Sequence, residues 1–176
     1  MTRWLVCPLA LVYVLALSAC ATTRSQSNKQ ASYSGHPDRI YVIVLPQLSD
    51  QMGADFSQQA IARFSDEVAK CQGRVRSHIS SPLELDASSQ TAEAKAFNPD
   101  VVMSMNFAGG TKDRYGGWIP ARIDVRMWQP GATQLVWRAV SSISAGGFAP
   151  VSTRVDSFMK DLVARMRNDG VFPTCS

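Results

Sequence analysis

Hydrophobic positions fall along this chain in a few distinct spacings, and each spacing predicts an element. Residues 40–45, Ile-Tyr-Val-Ile-Val-Leu, form a continuous apolar run ended by Pro46, with the length and branched content of a buried central strand. After a polar turn, Phe56, Ala60, Ile61, Phe64, Val68 and Cys71 recur at helical spacing, with Gln58, Gln59, Arg63, Asp66, Glu67 and Lys70 on the other faces. That predicts an amphipathic helix from about Ala54 to Cys71, stopped near Gly73. Residues 74–79 alternate, Val75, Ser77 and Ile79 against Arg74, Arg76 and His78, as a half-exposed edge strand does. Residues 86–97 carry a weaker helical pattern, closed by Asn98-Pro99 because the residue before proline is pushed out of helical space. Residues 101–107 read as a second buried strand.

The second half is a hairpin and a helix. Ile123, Val125 and Met127 alternate with Arg122, Asp124, Arg126 and Trp128, Pro130-Gly131 suits a type II turn, and residues 135–144 return. Val155, Phe158, Met159, Leu162, Val163 and Met166 then form one helical stripe, with Thr153 and Asp156 spaced as a capping box and Gly170 as the stop. The order is strand, helix, strand, short helix, three strands, helix. It predicts a single two- or three-layer α/β (α+β) domain over 39–176: a mixed sheet of about five strands, two main helices and a C-terminal helix.

The start of the chain is different. Arg3 is the only charge before an unbroken non-ionic run that ends in Leu17-Ser18-Ala19-Cys20. The run is shorter than the roughly 20 apolar residues that a bilayer-spanning helix needs, and it fits a secretory leader over 1–19. Leu17-Ser18-Ala19-Cys20 resembles the lipobox of bacterial lipoproteins, which implies cleavage before Cys20, acylation of Cys20 and a lipid tether to the membrane. In that family the alanine at position 21 implies the outer membrane, periplasmic face. Residues 20–38 are rich in Ser, Thr, Gln, Asn and Lys and predict a flexible polar linker, spanning roughly 25 Å as a random coil.

Composition narrows the remaining choices. The chain carries +4, of which Arg3 supplies one, so the exported part is mildly basic. That charge permits contact with anionic headgroups or polysaccharide, while no nucleic-acid motif is present and export argues against that partner. Cys7 leaves with the leader and Cys20 is the lipid site, so Cys71 and Cys175 remain, and in an oxidising compartment the expectation is a disulfide between them. A reactive Cys71 served by His78 is the alternative, without an evident third group. Neither a nucleophile with its base nor a metal-ligand cluster stands out, so the expectation is a non-enzymatic protein without cofactor or metal. The glycine-rich stretch 109–117 lacks the Gly-Lys-Ser/Thr of a phosphate loop.

One loop set does draw notice. If the last three strands form an up-down-up meander, loops 108–117 and 145–150 share one end and present Lys112, Arg114, Tyr115, Trp118 and Phe148. Aromatic residues and arginine are the types enriched at binding hot spots, which makes these the candidate partner-binding residues for another envelope protein. The alternative is that Trp118 and Phe148 fold back over the core. A carrier for a lipid or other apolar ligand held between sheet and helices is the competing function.

Residues 91–110, Thr-Ala-Glu-Ala-Lys-Ala-Phe-Asn-Pro-Asp-Val-Val-Met-Ser-Met-Asn-Phe-Ala-Gly-Gly, resemble a helix, small loop and Asp-Val-Val strand of envelope lipoproteins related to the curli-secretion lipoprotein and to the N-terminal domain of TolB. Residues 123–140, with Leu135-Val136-Trp137, resemble their hairpin. The resemblance implies a compact α/β fold, an envelope setting and a role in assembly or accessory binding. It transfers no catalytic residue.

Overall fold

The computed structural model describes residues 21–172 apart from 113, 115–117 and 146–148; of Trp118 it describes the backbone alone. Among the described residues there are six strands and four helices: β1 (Ala21–Lys29), β2 (Arg39–Val44), α1 (Pro46–Met52), α2 (Ala54–Ala69), β3 (Arg74–Ile79), α3 (Ser88–Phe97), β4 (Val101–Lys112), β5 (Trp118–Trp128), β6 (Leu135–Ala145) and α4 (Val151–Asn168). They build the mixed α/β domain that the apolar pattern predicts, around one sheet in the order β1-β6-β5-β4-β2-β3.

β2 pairs parallel with both β3 and β4, so its side chains are enclosed on two faces, as an unbroken apolar run requires. The chain moves to one side of β2 to make β3 and to the other side to make β4. Right-handed crossovers in opposite directions put the connecting helices on opposite faces. Accordingly α2 covers Ile40, Val42 and Val44, while α3 covers Tyr41, Ile43 and Val102.

The larger core lies between the sheet and the α1–α2–α4 layer. Phe56 of α2 stacks on Phe158 of α4 with ring centroids 6.0 Å apart, and Phe64 meets Phe172 at 6.4 Å. Burying each of these rings contributes about 1.5–3 kcal/mol. Arg63–Asp156 and Arg167–Glu67 bridge the same two helices at 2.9 and 3.1 Å. Gly73 follows α2 where a Cβ would lie 2.7 Å from Val68 and 3.0 Å from the Asp38 carbonyl, so only glycine fits the stop.

β4, β5 and β6 are consecutive antiparallel neighbours, the expected meander. Its far turn has Gly131 at φ +77° and the Ala132 amide donating to the Gln129 carbonyl at 3.0 Å, as a type II turn needs.

Three expectations fail. The polar segment after Cys20 is no leash: Ala21–Lys29 is an edge strand on β6, and Tyr33 closes the following loop with its ring in the core. The strand forms because its backbone completes the ladder of β6, and Ser25 meets Ser141 at 2.7 Å in a buried hydroxyl pair. The polar turn after β2 contains a short helix, α1, started by Pro46 at its first turn. Thr153 and Asp156 make no capping box, because α4 begins two residues earlier with Pro150 at its N-cap and no side-chain cap.

Candidate functional site

The loop-end residues are brought to one end of the sheet. β4 runs toward it and ends with Lys112 opposite Trp118, the first residue of β5. Ala121 of β5 faces Ile143 of β6, and Ala145 closes β6 beside the second loop. Gly109, at φ +100°, lies in the bulged stretch of β4 that leads there. Lys112 and Arg114 are exposed. Tyr115, Phe148 and the Trp118 side chain lie outside the described residues.

The strand missed from sequence changes what this end means. Ala21 pairs with Ala145, so the chain emerges from the position of Cys20 at the same end as both loops. Cys20 directly precedes the first residue of that paired strand in the sequence. Cys20 itself lies outside the described residues.

Cys71 sits just beyond α2, half-buried and packed against the core. Cys175 lies outside the described residues. The last described residue before it, Phe172, packs on Phe64 and under the Arg167 guanidinium at 5.6 Å. Phe172 thereby lies against α2.

His78 is not the isolated exposed imidazole that its strand position predicts. Its Nε2 lies 3.1 Å from both Glu84 oxygens and its Nδ1 3.6 Å from Glu93, with the side chain about 17% exposed. The hydrogen bond from His78 holds the Glu84 carboxyl below its usual range. Tyr41 donates to Glu93 Oε2 at 3.1 Å; burial first, and then that hydrogen bond, push its phenol up to about 12. The group is a polar clasp that fastens loop 80–87 and α3 to the sheet. A turn with Glu84 donating to the Ser81 carbonyl folds Glu84 back onto His78, a pairing no sequence spacing announces.

Asp124 was placed by sequence beside Arg122 and Arg126. In the structure it is 4% exposed and held by Arg126 at 2.7 Å and by Arg138 of β6 at 2.8 Å, a cross-strand charge set. Burial pushes its carboxyl up, and the hydrogen bonds from Arg138 and Arg126 outweigh that and leave it below the ordinary value. Trp137 is core, 1% exposed, donating its indole N–H to Asp169 at 2.7 Å.

The interior between sheet and helices is filled. Phe56, Phe64, Phe158, Met103, Met105 and Leu162 are fully buried there. The grooves on the molecule, such as the one lined by Gln26–Gln30 and residues 134–140, open to solvent. That packing gives the apolar-carrier reading no support. No group of three or more metal-ligating side chains occurs among the described residues.

A mixed sheet with helices on both faces, opening on an edge strand that pairs with the last strand, defines an α/β fold. Its likenesses among solved structures agree. The PelC dodecamer from Paraburkholderia phytofirmans superposes with a TM-score of 0.51 at 16% identity, covering 81% of this chain and 94% of that one. The lipoprotein GNA1162 from Neisseria meningitidis gives 0.43 at 13% identity, covering 75% and 99%. No family model matches the chain, and no curated protein does. The α/β fold implied by the sequence resemblance therefore stands, while these neighbours do not support assignment to the TolB or curli-secretion families. No described helix is long and apolar enough to cross a membrane.

Proposed function

We propose that this protein is a lipoprotein anchored through Cys20 to the periplasmic face of the outer membrane, where it serves as a non-enzymatic docking module for another envelope protein. The observation that carries the reading is the Ala21–Ala145 pairing. With the acyl chains one residue from the sheet, the loops bearing Lys112, Arg114, Tyr115, Trp118 and Phe148 are held at the bilayer surface. A partner meeting them there is itself seated in or on that membrane. The lipobox, the shared fold and the aromatic and basic content of the loops all support this.

The Cys71–Cys175 pair belongs to the same reading. Phe172, packed on Phe64 of α2, lies three residues before Cys175 in the sequence, and Cys71 follows α2.

The test is photo-crosslinking in intact cells from a probe at Arg114, with a second probe at Ala132 in the far turn. Capture of one protein from position 114 and none from 132 is the expected result. Trp118→Ala combined with Arg114→Ala should leave the fold intact and abolish co-purification. Unchanged pull-downs from that variant would overturn the site.

A further inference from the structure

The sheet has one face that the helices leave open. α3 lies over β2, β3 and the start of β4, with Trp128 at the end of β5 beside it, so no described helix covers that side of β1, β6 and the rest of β5. Strand alternation puts Arg24, Gln26 and Asn28 on this face, because Ser25 points to the core and meets Ser141. The same rule puts Arg138 of β6 and Arg122, Asp124 and Arg126 of β5 beside them, and the four arginines are exposed.

Register then arranges the charges. Arg24 and Arg122 both lie opposite Ser142, two strand spacings or about 10 Å apart. Arg138 lies opposite Arg126, and that pair is four residues, about 14 Å, further along β5 from Arg122. Asp124 sits beneath Arg126 and Arg138 and accepts from Nε of both, at 2.8 Å each. It thereby holds two like charges side by side and leaves Nη1 of each guanidinium outside the pair. Arg24 and Arg122 make no ion pair among the described residues.

Four arginines and one aspartate give this face +3. The whole chain is +4 and Arg3 accounts for the remaining charge, so acids and bases balance everywhere else. A net charge of one sign on an open surface is a field with a direction, and it attracts an anion of matching extent.

We propose that the open face of β1, β6 and β5 binds an acidic polysaccharide. The face is flat and ridged by strands, and amide and hydroxyl side chains stand between its arginines: Gln26, Asn28, Ser142 and Ser144. A groove lined by Gln26–Gln30 and residues 134–140 runs along it. Spaced carboxylates on a glycan meet the arginines, and its hydroxyls meet the amides. A protein partner fits less well, since stable interfaces bring an apolar, aromatic centre and this face has Val140 alone between its charges. Headgroups fit less well too. Ala145 is at the anchored end; Arg24 and Arg122, opposite Ser142, lie three residues or about 10 Å from it, but Arg138 and Arg126 lie seven residues down β6, about 24 Å away. That exceeds the roughly 8 Å over which surface charge acts in physiological salt.

The test titrates the full chain, purified in detergent, with polygalacturonate, dextran, polyglutamate and phosphatidylglycerol vesicles. Polygalacturonate should bind and dextran should not. Arg24→Gln with Arg122→Gln should weaken that binding at least tenfold and lower the log–log salt slope by about two. Arg114→Ala, which tests the loop end, should leave it unchanged, so the two sites fail separately. Failure of polygalacturonate to bind, or unchanged binding by the double variant with its fold intact by circular dichroism, would overturn the proposal. Equally tight binding of polyglutamate would assign the face to an acidic protein, and binding of vesicles alone would assign it to the membrane; either result overturns the glycan.

Discussion

Asp169 is the residue through which the edge strand, the return strand and the last helix are tied, and its removal should be costly. It follows α4 directly and accepts at one oxygen from Ser27 of β1 at 2.6 Å and from the Trp137 indole of β6 at 2.7 Å. Hydrogen bonds to a charged acceptor contribute about 1.5–3 kcal/mol each, and a stranded buried donor costs about 1–3. Trp137 is 1% exposed, so its N–H is buried beneath the carboxylate that it donates to. Against this, a negative charge at a helix C-terminus is unfavourable by about 0.3–1 kcal/mol, and that returns on substitution. Asp169→Ala should therefore destabilise by about 3 kcal/mol, read as a lower urea midpoint at unchanged slope and as a Tm lowered by roughly 6–12 °C. Asp169→Asn keeps an acceptor and removes the charge, so it should lose about 1 kcal/mol. In a Trp137→Phe background the cost of Asp169→Ala should shrink to the Ser27 share. A loss below about 1 kcal/mol for Asp169→Ala, or the same loss with and without the indole, would refute the reasoning.

Two further outcomes follow from other residues. Asp124 has a lowered carboxyl pKa, so the folded state binds its proton less tightly than the unfolded chain does. The stability it contributes is fully present above the unfolded value near about 3.9 and is lost as pH falls through the folded value. Asp124→Asn should be less stable at pH 7 and should show a flatter acid limb in urea midpoints taken across pH; an unchanged limb counts against the charge set. For the cysteine pair, the mature protein under non-reducing conditions should weigh two hydrogens less than its dithiol form. Cys71→Ser should lose up to roughly 4–5 kcal/mol, and free thiols in both positions of the native protein would remove the pairing.

How far the sequence carried can be read residue by residue. β2, α2, β5, β6 and α4 were legible because each buries one face or both, and burial imposes a period. The meander was legible because Pro130 and Gly131 mark its turn, so the shared end of the two loops was too. β1 was not, because its side chains alternate among Thr, Ser, Gln and Asn and its stabilisation comes from the β6 backbone, which leaves no mark in residue type. The clasp at His78 was hidden for a related reason: Glu84 and Glu93 arrive from a turn and a helix whose placement depends on the β3–β4 crossover. Arg138 as the second partner of Asp124 required the hairpin register, which is set by turn geometry and the bulge between Met127 and Trp128.

The pairing of the first described strand with the sixth also dictates an order of maturation. Ser25 finds Ser141 116 residues later, so β1 has nothing to join until almost the whole chain has been delivered. Until then residues 21–29 are an unpaired polar ribbon, which on the proposed lipoprotein reading is the accessible substrate that a leader peptidase and an acylating enzyme require. On the proposed anchoring, acylation of Cys20 precedes closure of the sheet, and the fold would complete itself against the membrane. Contacts of such long sequence separation form slowly, and β1 is accordingly the strand expected to dock last.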